Sequence, residues 1–229
     1  MPASASAALA PAEARRQGAR MSDISEYEAR VAELRRTLGE EHPETLAAML
    51  DLAERLWAVG RLGAARVLEE QVVAARLKQL GEKHADTLKA MGKLATTIGA
   101  QGDLARARQM QERIVELSSA VWGEEGRDTW RALNNLAGTV AAEGDLDGAR
   151  ELLEHAIARM CQLWGEDDAD SLAAMGNLAA ILWQMGERDE AYWLQQQVVE
   201  TQRRVSGDEH RATRAAIAAL GVMQRDSGF

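Results

Sequence analysis

A glycine that returns every 42 residues constrains this chain more than any other feature. The series is Gly39, Gly81, Gly123, Gly165 and Gly207. The segments that begin at these glycines align without a gap, as GEEHPETLAAM, GEKHADTLKAM, GEEGRDTWRAL, GEDDADSLAAM and GDEHRATRAAI. A fixed period of this length is typical of repeat proteins, in which each unit buries its apolar face only by stacking on its neighbours. The sequence therefore predicts a linear array of repeats.

A second glycine series divides every repeat into two helices. It follows the first at the same period and consists of Gly60, Gly102, Gly144, Gly186 and Gly228. Glycine is the preferred residue just past the end of a helix, so two per repeat predict an antiparallel helix hairpin. We call its first helix A and its second helix B. The A helices are predicted to begin near Pro43, Ala85, Arg127, Ala169 and Arg211.

The period also sets the predicted domain boundaries. Residues 23–229 are predicted to form a single domain, and residues 1–22, which are Ala-rich and contain Pro2 and Pro11, a flexible tail. Residues 1–20 are alternatively an upstream extension of the working chain. The predicted parts of the domain are a half-repeat at 24–38, full repeats at 39–80, 81–122, 123–164 and 165–206, and a half-repeat at 207–229. This arrangement contains about ten helices, and terminal half-repeats act as caps in such arrays.

Apolar residues follow the helical period on both helices. On the first A helix, Leu46, Met49, Leu52 and Leu56 lie on one face, which we predict to be core. Each B helix carries an alanine at one equivalent position, and a side chain that small lets A and B approach closely. These alanines are Ala65, Ala107, Ala149 and Ala191.

Composition excludes several classes of partner. The net charge is −9, which disfavours binding to nucleic acid or to an anionic membrane surface, since both attract an excess of Lys and Arg. No apolar run approaches the roughly 18 residues of a membrane span. The only cysteine, Cys161, cannot form an intramolecular disulfide, and a cytoplasmic location is the simpler expectation.

The residues within the period resemble a known family. Asn134, Asn135, Leu136 and Ala137, followed by a glycine and later by Ala149, resemble the tetratricopeptide repeat. The long period with LGEEHPETL and NNLA resembles the repeats of kinesin light chains and their relatives. The common tetratricopeptide unit has about 34 residues and ends in a proline, whereas both helices are longer here. The resemblance implies an all-α fold, a right-handed α-solenoid of antiparallel helix hairpins.

The resemblance further implies that the A helices line a concave groove. Two of the four lysines in the chain fall on the predicted groove face, beside an arginine and a ladder formed by Asn135 and Asn177. An Asn amide both donates and accepts, which suits an extended peptide backbone, and cations beside it suit an acidic side chain or a C-terminus. The predicted peptide-binding residues are Lys89, Lys93, Arg131, Asn134, Asn135 and Asn177.

These observations predict a protein-binding or peptide-binding adaptor for an extended acidic or C-terminal segment. No phosphate loop, metal-ligand cluster or nucleophile elbow occurs, so we expect neither an enzyme, nor a metal, nor a cofactor. Three alternatives stay open. The groove face is only a solvated helix surface, the chain self-associates as a homo-oligomer through its C-terminal helix, or it binds a small molecule between its tryptophans.

Histidines and tryptophans have structural interpretations that compete with binding. His42, His84 and His210 share one repeat position, but packed helices lie about 8–10 Å apart, too far to share a zinc ion with bonds of about 2 Å. We expect cap residues. Most tryptophans, including Trp57, Trp122, Trp130 and Trp164, fall where junctions between helices need apolar side chains. Trp193 is the best candidate for an exposed contact.

Overall fold

The computed structural model describes the backbone of residues 9–227 and the side chains of residues 24–226, and over this range it contains ten α-helices. The predicted start of every A helix is confirmed, since α2, α4, α6, α8 and α10 begin at those five residues. The helices are α1 (Leu9–Leu38), α2 (Pro43–Ala58), α3 (Leu62–Leu80), α4 (Ala85–Ala100), α5 (Leu104–Trp122), α6 (Arg127–Ala142), α7 (Leu146–Trp164), α8 (Ala169–Met185), α9 (Arg188–Ser206) and α10 (Arg211–Ser227).

Helix α1 begins earlier than the repeat register indicates. The predicted half-repeat starts at residue 24, but α1 starts at Leu9, so the part of the predicted tail from Leu9 onward is helical. Its Ala, Arg, Glu and Gln residues favour a helix, and Pro11 stands in the first turn, where proline is tolerated. Residues 1–8 of the predicted tail lie outside the described residues.

A hydroxyl locks the turn that precedes α2 and the turn that precedes α6. The Thr45 hydroxyl donates to the carbonyl oxygen of Gly39 at 2.8 Å, and Thr129 donates to that of Gly123 at 2.8 Å. Both glycines have a positive φ, 94° and 78°, which only glycine adopts readily. A hydroxyl residue that is at most 3% exposed recurs in the other repeats as Thr87, Ser171 and Thr213. Thr87 and Ser171 do not form this bond, and Thr213 donates instead to the Gln202 carbonyl oxygen at 3.4 Å.

The histidines at the shared repeat position are helix caps, as predicted. The Nδ1 atoms of His42, His84 and His210 accept a hydrogen bond from the backbone N–H two residues later, at 3.3, 3.2 and 3.3 Å. Each bond satisfies one of the amide groups that a helix leaves unpaired at its start. In the other two repeats this position is Gly126 and Asp168, and Asp168 also caps its helix.

The chain forms two compact units, and the first ends at Gly102. In this unit α1 packs on α2, α2 on α3 and α3 on α4; in the second unit, helices α5 to α10 each pack on the next, and α6 also contacts α8. Ala107, Ala149 and Ala191, where B meets A, are fully buried in the second unit. The single domain expected for residues 23–229 stays a prediction.

The tryptophans differ in burial more than their repeat positions indicate. Trp130 is 4% exposed, and Trp122 and Trp164 are half-buried at their junctions. The predicted junction packing is wrong for Trp57, which is 43% exposed because it follows the buried Leu56 at the end of α2 and points away from that face. Trp193 is 58% exposed, in line with its prediction.

Candidate functional site

The candidate site is a pocket between two neighbouring A helices of the second unit. Helix α6 and helix α8 lie side by side there, and Met160 of α7, which is 1% exposed, lies at the bottom. The pocket has a volume of about 230 Å³. We call it the α6–α8 pocket, and it is lined by Arg131, Asn134, Asn135, Met160, Asp170 and Ala173. Three of the six predicted peptide-binding residues therefore line one cavity.

A fourth predicted residue is tied to the same pocket by an amide pair. The Asn177 Nδ2 atom donates to Asn134 Oδ1 at 3.0 Å, so the two helices present a joined pair of side-chain amides. Asn135 and Asn177 are exposed and Asn134 is half-buried. These are all three asparagines of the sequence. All three are among the predicted peptide-binding residues.

Arg131 does not stand free in the pocket. Its Nε atom donates to Asp170 Oδ1 at 2.8 Å, and its NH1 atom donates to Asp128 Oδ1 at 3.1 Å. The sequence predicts Arg131 to be an unpaired cation because none of the groove positions on α6 and α8 is a carboxylate. Asp170 lies in the first turn of α8, outside those positions, and the helix packing brings it to the pocket.

A second arginine extends this ion-pair network toward the core. Arg127 NH1 donates to Asp168 Oδ2 at 2.8 Å and to Asp170 Oδ2 at 2.7 Å. Its guanidinium also stacks on the Trp164 ring, 4.2 Å from the ring centroid. The network therefore fixes the N-terminal ends of α6 and α8 relative to each other beside the pocket.

The network keeps Asp170 ionised. Burial acts to raise the pKa of Asp170, but hydrogen bonds and charges from Arg131 and Arg127 outweigh it, so its pKa lies below the ordinary value. With Asp128 and Asp168 included, three carboxylates face two guanidinium groups. The rim of the pocket is thus polar and nearly balanced in charge, and it is not the basic patch that the sequence predicted.

The two predicted lysines lie on α4, in the first unit. Both are exposed, and the Nζ atom of Lys93 pairs with Glu54 Oε2 at 3.3 Å. Lys89 forms no hydrogen bond or ion pair with the residues that the structure describes. Of the predicted cations, Lys89 alone therefore keeps its charge unpaired within the described side chains.

The glycines on the A-helix face have different surroundings. A Cβ atom added at Gly138, one turn after Asn134, would meet nothing within 4 Å. At Gly176 it would meet only Gln195 Oε1, at 3.9 Å. Close helix packing therefore does not explain Gly138, and the surface next to the asparagines is open.

Comparison with known proteins assigns the family. Two family models described as tetratricopeptide repeat match the sequence, one over residues 86–162 and the other over residues 45–86 and 171–212. The chain belongs to the tetratricopeptide repeat family. The all-α fold of tetratricopeptide helix hairpins predicted from the sequence is thereby confirmed.

Solved structures connect this tetratricopeptide protein with a particular repeat type. Two crystal structures of the nearly identical TPR-like repeats of a Podosopora anserina protein described as a kinesin light chain are each 29% identical to it. They have TM-scores of 0.63 and 0.60, and in both the match covers 83% of this chain and 90% of the other. BtubC (BKLC) from P. vanneervenii is 18% identical, with a TM-score of 0.66 and coverage of 92% and 85%, and shows the fold alone. The predicted kinesin-light-chain-like repeat type is confirmed.

Tetratricopeptide repeats are protein-interaction scaffolds and not a catalytic fold type, and this coarse function applies to the chain. No curated protein matches it in sequence.

Among residues 24–226, no three His, Cys, Asp or Glu side chains are grouped so that they could hold a metal ion. The described helices include none that is long and apolar enough to cross a membrane.

Proposed function

We propose that this tetratricopeptide protein binds an extended peptide segment of a partner protein on its A-helix face, at the α6–α8 pocket. The observation that carries the proposal is the amide pair of Asn134 and Asn177, which gathers with Asn135 around an open pocket. An adaptor of this kind needs backbone recognition more than side-chain recognition, and amides supply it.

The asparagines keep hydrogen-bonding capacity for a ligand. Their mutual bond uses one N–H of Asn177 and the carbonyl oxygen of Asn134. The remaining amide groups can accept from a backbone N–H and donate to a backbone C=O of a bound strand. Recognition through the main chain tolerates many side chains and suits an extended segment.

Arg131 supports the choice of an acidic or C-terminal segment. A guanidinium has five N–H donors, and the bonds to Asp170 and Asp128 use two of them. A ligand carboxylate can bond to the others, and it gains from a charge-assisted hydrogen bond. Because the local charge is nearly balanced, we expect the carboxylate to contribute specificity while the amides contribute most of the affinity.

The test uses peptides selected from a random C-terminal display library against the full-length protein. We expect Asn135→Ala together with Asn177→Ala to weaken binding of the selected peptides at least tenfold, while Gln109→Ala, an exposed amide on a B helix, leaves it unchanged. Amidation of the peptide C-terminus distinguishes a terminal carboxylate from an acidic side chain as the partner of Arg131. Unchanged affinity in the folded asparagine double variant would remove the α6–α8 pocket as the site.

The small-molecule alternative receives less support. Trp130 is buried and Trp164 is stacked by Arg127, so neither offers a free ring face to a ligand in the second unit. The cytoplasmic location stays a prediction.

A further inference from the structure

A second pocket lies inside the hairpin of α8 and α9, away from the asparagines. Its volume is about 190 Å³, with Leu172 and Met175 of α8 on one side and Gln197 and Glu200 of α9 on the other. Arg204 closes one edge through an ion pair with Asp167, 2.7 Å long. We call it the hairpin pocket. Because the repeats align without gaps, the same position can be compared between repeats. The side chains that fill it elsewhere indicate what kind of group the hairpin pocket can hold.

In the first repeat an arginine of the chain itself occupies the equivalent space. Arg35, on the helix before the hairpin, donates from NH2 to Gln71 Oε1 at 2.9 Å and lies 3.7 Å from Met49 Sδ. In the 42-residue register, Met49 corresponds to Met175 and Gln71 to Gln197. The ion pair at the edge of the pocket also has an equivalent in the first repeat. Lys78 pairs with Glu41 at 2.9 Å, at the positions of Arg204 and Asp167 in the fourth repeat.

In the third repeat an indole takes this space. Trp130 corresponds to Leu172, is 4% exposed and packs against His155, with the ring centroids 5.9 Å apart. His155 corresponds in turn to Gln197. The scaffold therefore fills the position from two directions, with an arginine of the preceding helix or with a large residue of helix A.

The fourth repeat has neither filler. The residue equivalent to Arg35 is Cys161, which is too short to enter, and the residue equivalent to Trp130 is the smaller Leu172. The repeat nevertheless keeps the methionine and the glutamine that contact Arg35 in the first repeat. It adds Glu200, where the first repeat has Ala74, and Glu166 also lines the pocket.

The charge around the hairpin pocket favours a cation. Glu166 and Glu200 form no ion pair with any described side chain, while Asp167 is neutralised by Arg204. A planar guanidinium is more weakly hydrated than an ammonium and forms paired hydrogen bonds with carboxylates. It is therefore the cation best suited to a pocket that is lined by both apolar side chains and carboxylates.

We infer that the hairpin pocket is a receptor for one arginine side chain of a partner protein, which takes the place that Arg35 holds in the first repeat. The guanidinium would donate to Gln197 Oε1 and to the Glu200 carboxylate, and the aliphatic part would pack on Leu172 and Met175. This site is separate from the α6–α8 pocket and does not depend on it.

The test titrates the full-length protein, labelled with ¹³C at the methionine methyl groups, with Nα-acetyl-arginine amide at low salt. The Met175 methyl signal, assigned by its loss in Met175→Leu, is expected to shift and saturate. Nα-acetyl-citrulline amide, which has nearly the same shape without the charge, is expected to bind at least tenfold more weakly.

Two variants close the pocket in the ways that the chain already uses. Cys161→Arg copies the first repeat and Leu172→Trp copies the third, and each is expected to abolish the saturable shift. Cys161→Ser is the matched control and should titrate like the wild type. Circular dichroism establishes which variants are folded, and one folded pocket-closing variant is sufficient for the test.

The proposal is overturned if the wild-type signal shows no saturable shift, if citrulline amide binds as well as arginine amide, or if a folded pocket-closing variant titrates like the wild type. Labelling with [¹⁵N]asparagine monitors the α6–α8 pocket in the same titration. Its side-chain amide signals should stay in place, so the two sites are tested independently.

Discussion

At the scale of single residues, Glu69 in the first unit is a carboxylate buried without full hydrogen bonding. It is 4% exposed, and its Oε2 atom has no hydrogen-bond partner among the described residues. Burial raises the pKa of Glu69, and a hydrogen bond from Thr97 and the charge of Lys93 only partly offset this effect. Two other repeats have a glutamine at this position, Gln111 and Gln195.

Glu69→Gln is therefore expected to stabilise the protein at neutral pH. A carboxyl with a raised folded-state pKa binds its proton more tightly in the folded state, so its ionisation destabilises the fold once the pH rises above the unfolded-state value near 4.5. We expect a gain of about 1 kcal/mol at pH 7, measured by denaturant unfolding. The gain should vanish as the pH falls below 4.5; an equal gain at pH 4 and pH 7 would contradict this account.

Gly126 shows how one residue departs from its repeat for a local reason. A Cβ atom at this position would lie 2.5 Å from the Cβ of Trp122 and 2.8 Å from its carbonyl oxygen. We expect Gly126→Ala to lower the free energy of unfolding by about 1–3 kcal/mol, as overpacking does. Gly138→Ala, inside α6 with open space around it, should raise the free energy of unfolding by about 0.5–1 kcal/mol. If Gly126→Ala left the free energy of unfolding unchanged, the turn would accommodate the added methyl group and this explanation of Gly126 would be wrong.

At the scale of elements, the hydroxyl lock on the turns before α2 and α6 is a contact that the sequence did not predict. Thr129→Val keeps the shape of the side chain and removes the 2.8 Å bond to the Gly123 carbonyl oxygen, which then keeps only the longer bond from the Gly126 N–H, at 3.2 Å. We expect a loss of about 1 kcal/mol in denaturant unfolding. Thr139→Val, whose hydroxyl bonds only to the preceding turn of its own helix, should stay within about 0.5 kcal/mol of the wild type. Equal effects would contradict the lock.

The helix boundaries were predictable because the repeat has no gaps, so the start of helix A recurs at the same position in five repeats. Their starts at Pro43, Ala85 and the equivalent residues follow from glycine and cap chemistry that is local in sequence. The ion pairs of Arg131 were not predictable in this way. They depend on how the first turn of α8 packs beside α6. The pattern of residues along a single helix does not give the distance between Arg131 and a carboxylate on the neighbouring helix.

The sequence placed all three asparagines among the predicted groove residues, but it did not predict the bond between two of them. Asn135 and Asn177 share one repeat position on successive A helices and were predicted to form a ladder, whereas the observed bond joins Asn177 to Asn134, one residue earlier on α6. The hairpin pocket was missed because its emptiness depends on two smaller residues, Cys161 and Leu172, on different helices. Only comparison with the occupied equivalent spaces in three dimensions identifies it.

At the scale of the whole molecule, α10 differs from the other A helices in a way that bears on self-association. At two positions the earlier A helices bury an apolar residue, whereas α10 has the exposed polar residues Arg214 and Gln224. These polar residues favour a solvated face and disfavour stacking on a second copy. The buried counterparts are Leu46, Leu88, Trp130 and Leu172 at the first position and Leu56, Ile98, Val140 and Leu182 at the second.

We therefore expect the wild-type protein to be monomeric and Arg214→Leu with Gln224→Leu to self-associate. The double variant gives α10 the apolar face of α8, which buries such residues only against another helix. Light scattering across a concentration series should give a constant monomer mass for the wild type and for Arg225→Leu, and a rising mass for the double variant. A wild-type dimer that the double variant leaves unchanged would contradict this interpretation.

The central claim is that the A-helix face binds an extended segment through its asparagines, and one measurement tests it directly. All three asparagines of the sequence belong to the proposed site, so [¹⁵N]asparagine labelling gives side-chain amide signals from that site alone. On addition of a peptide selected against the wild-type protein, we predict that the Asn134, Asn135 and Asn177 signals shift together and saturate with the same dissociation constant. Saturable peptide binding that leaves all three signals unmoved would contradict the account.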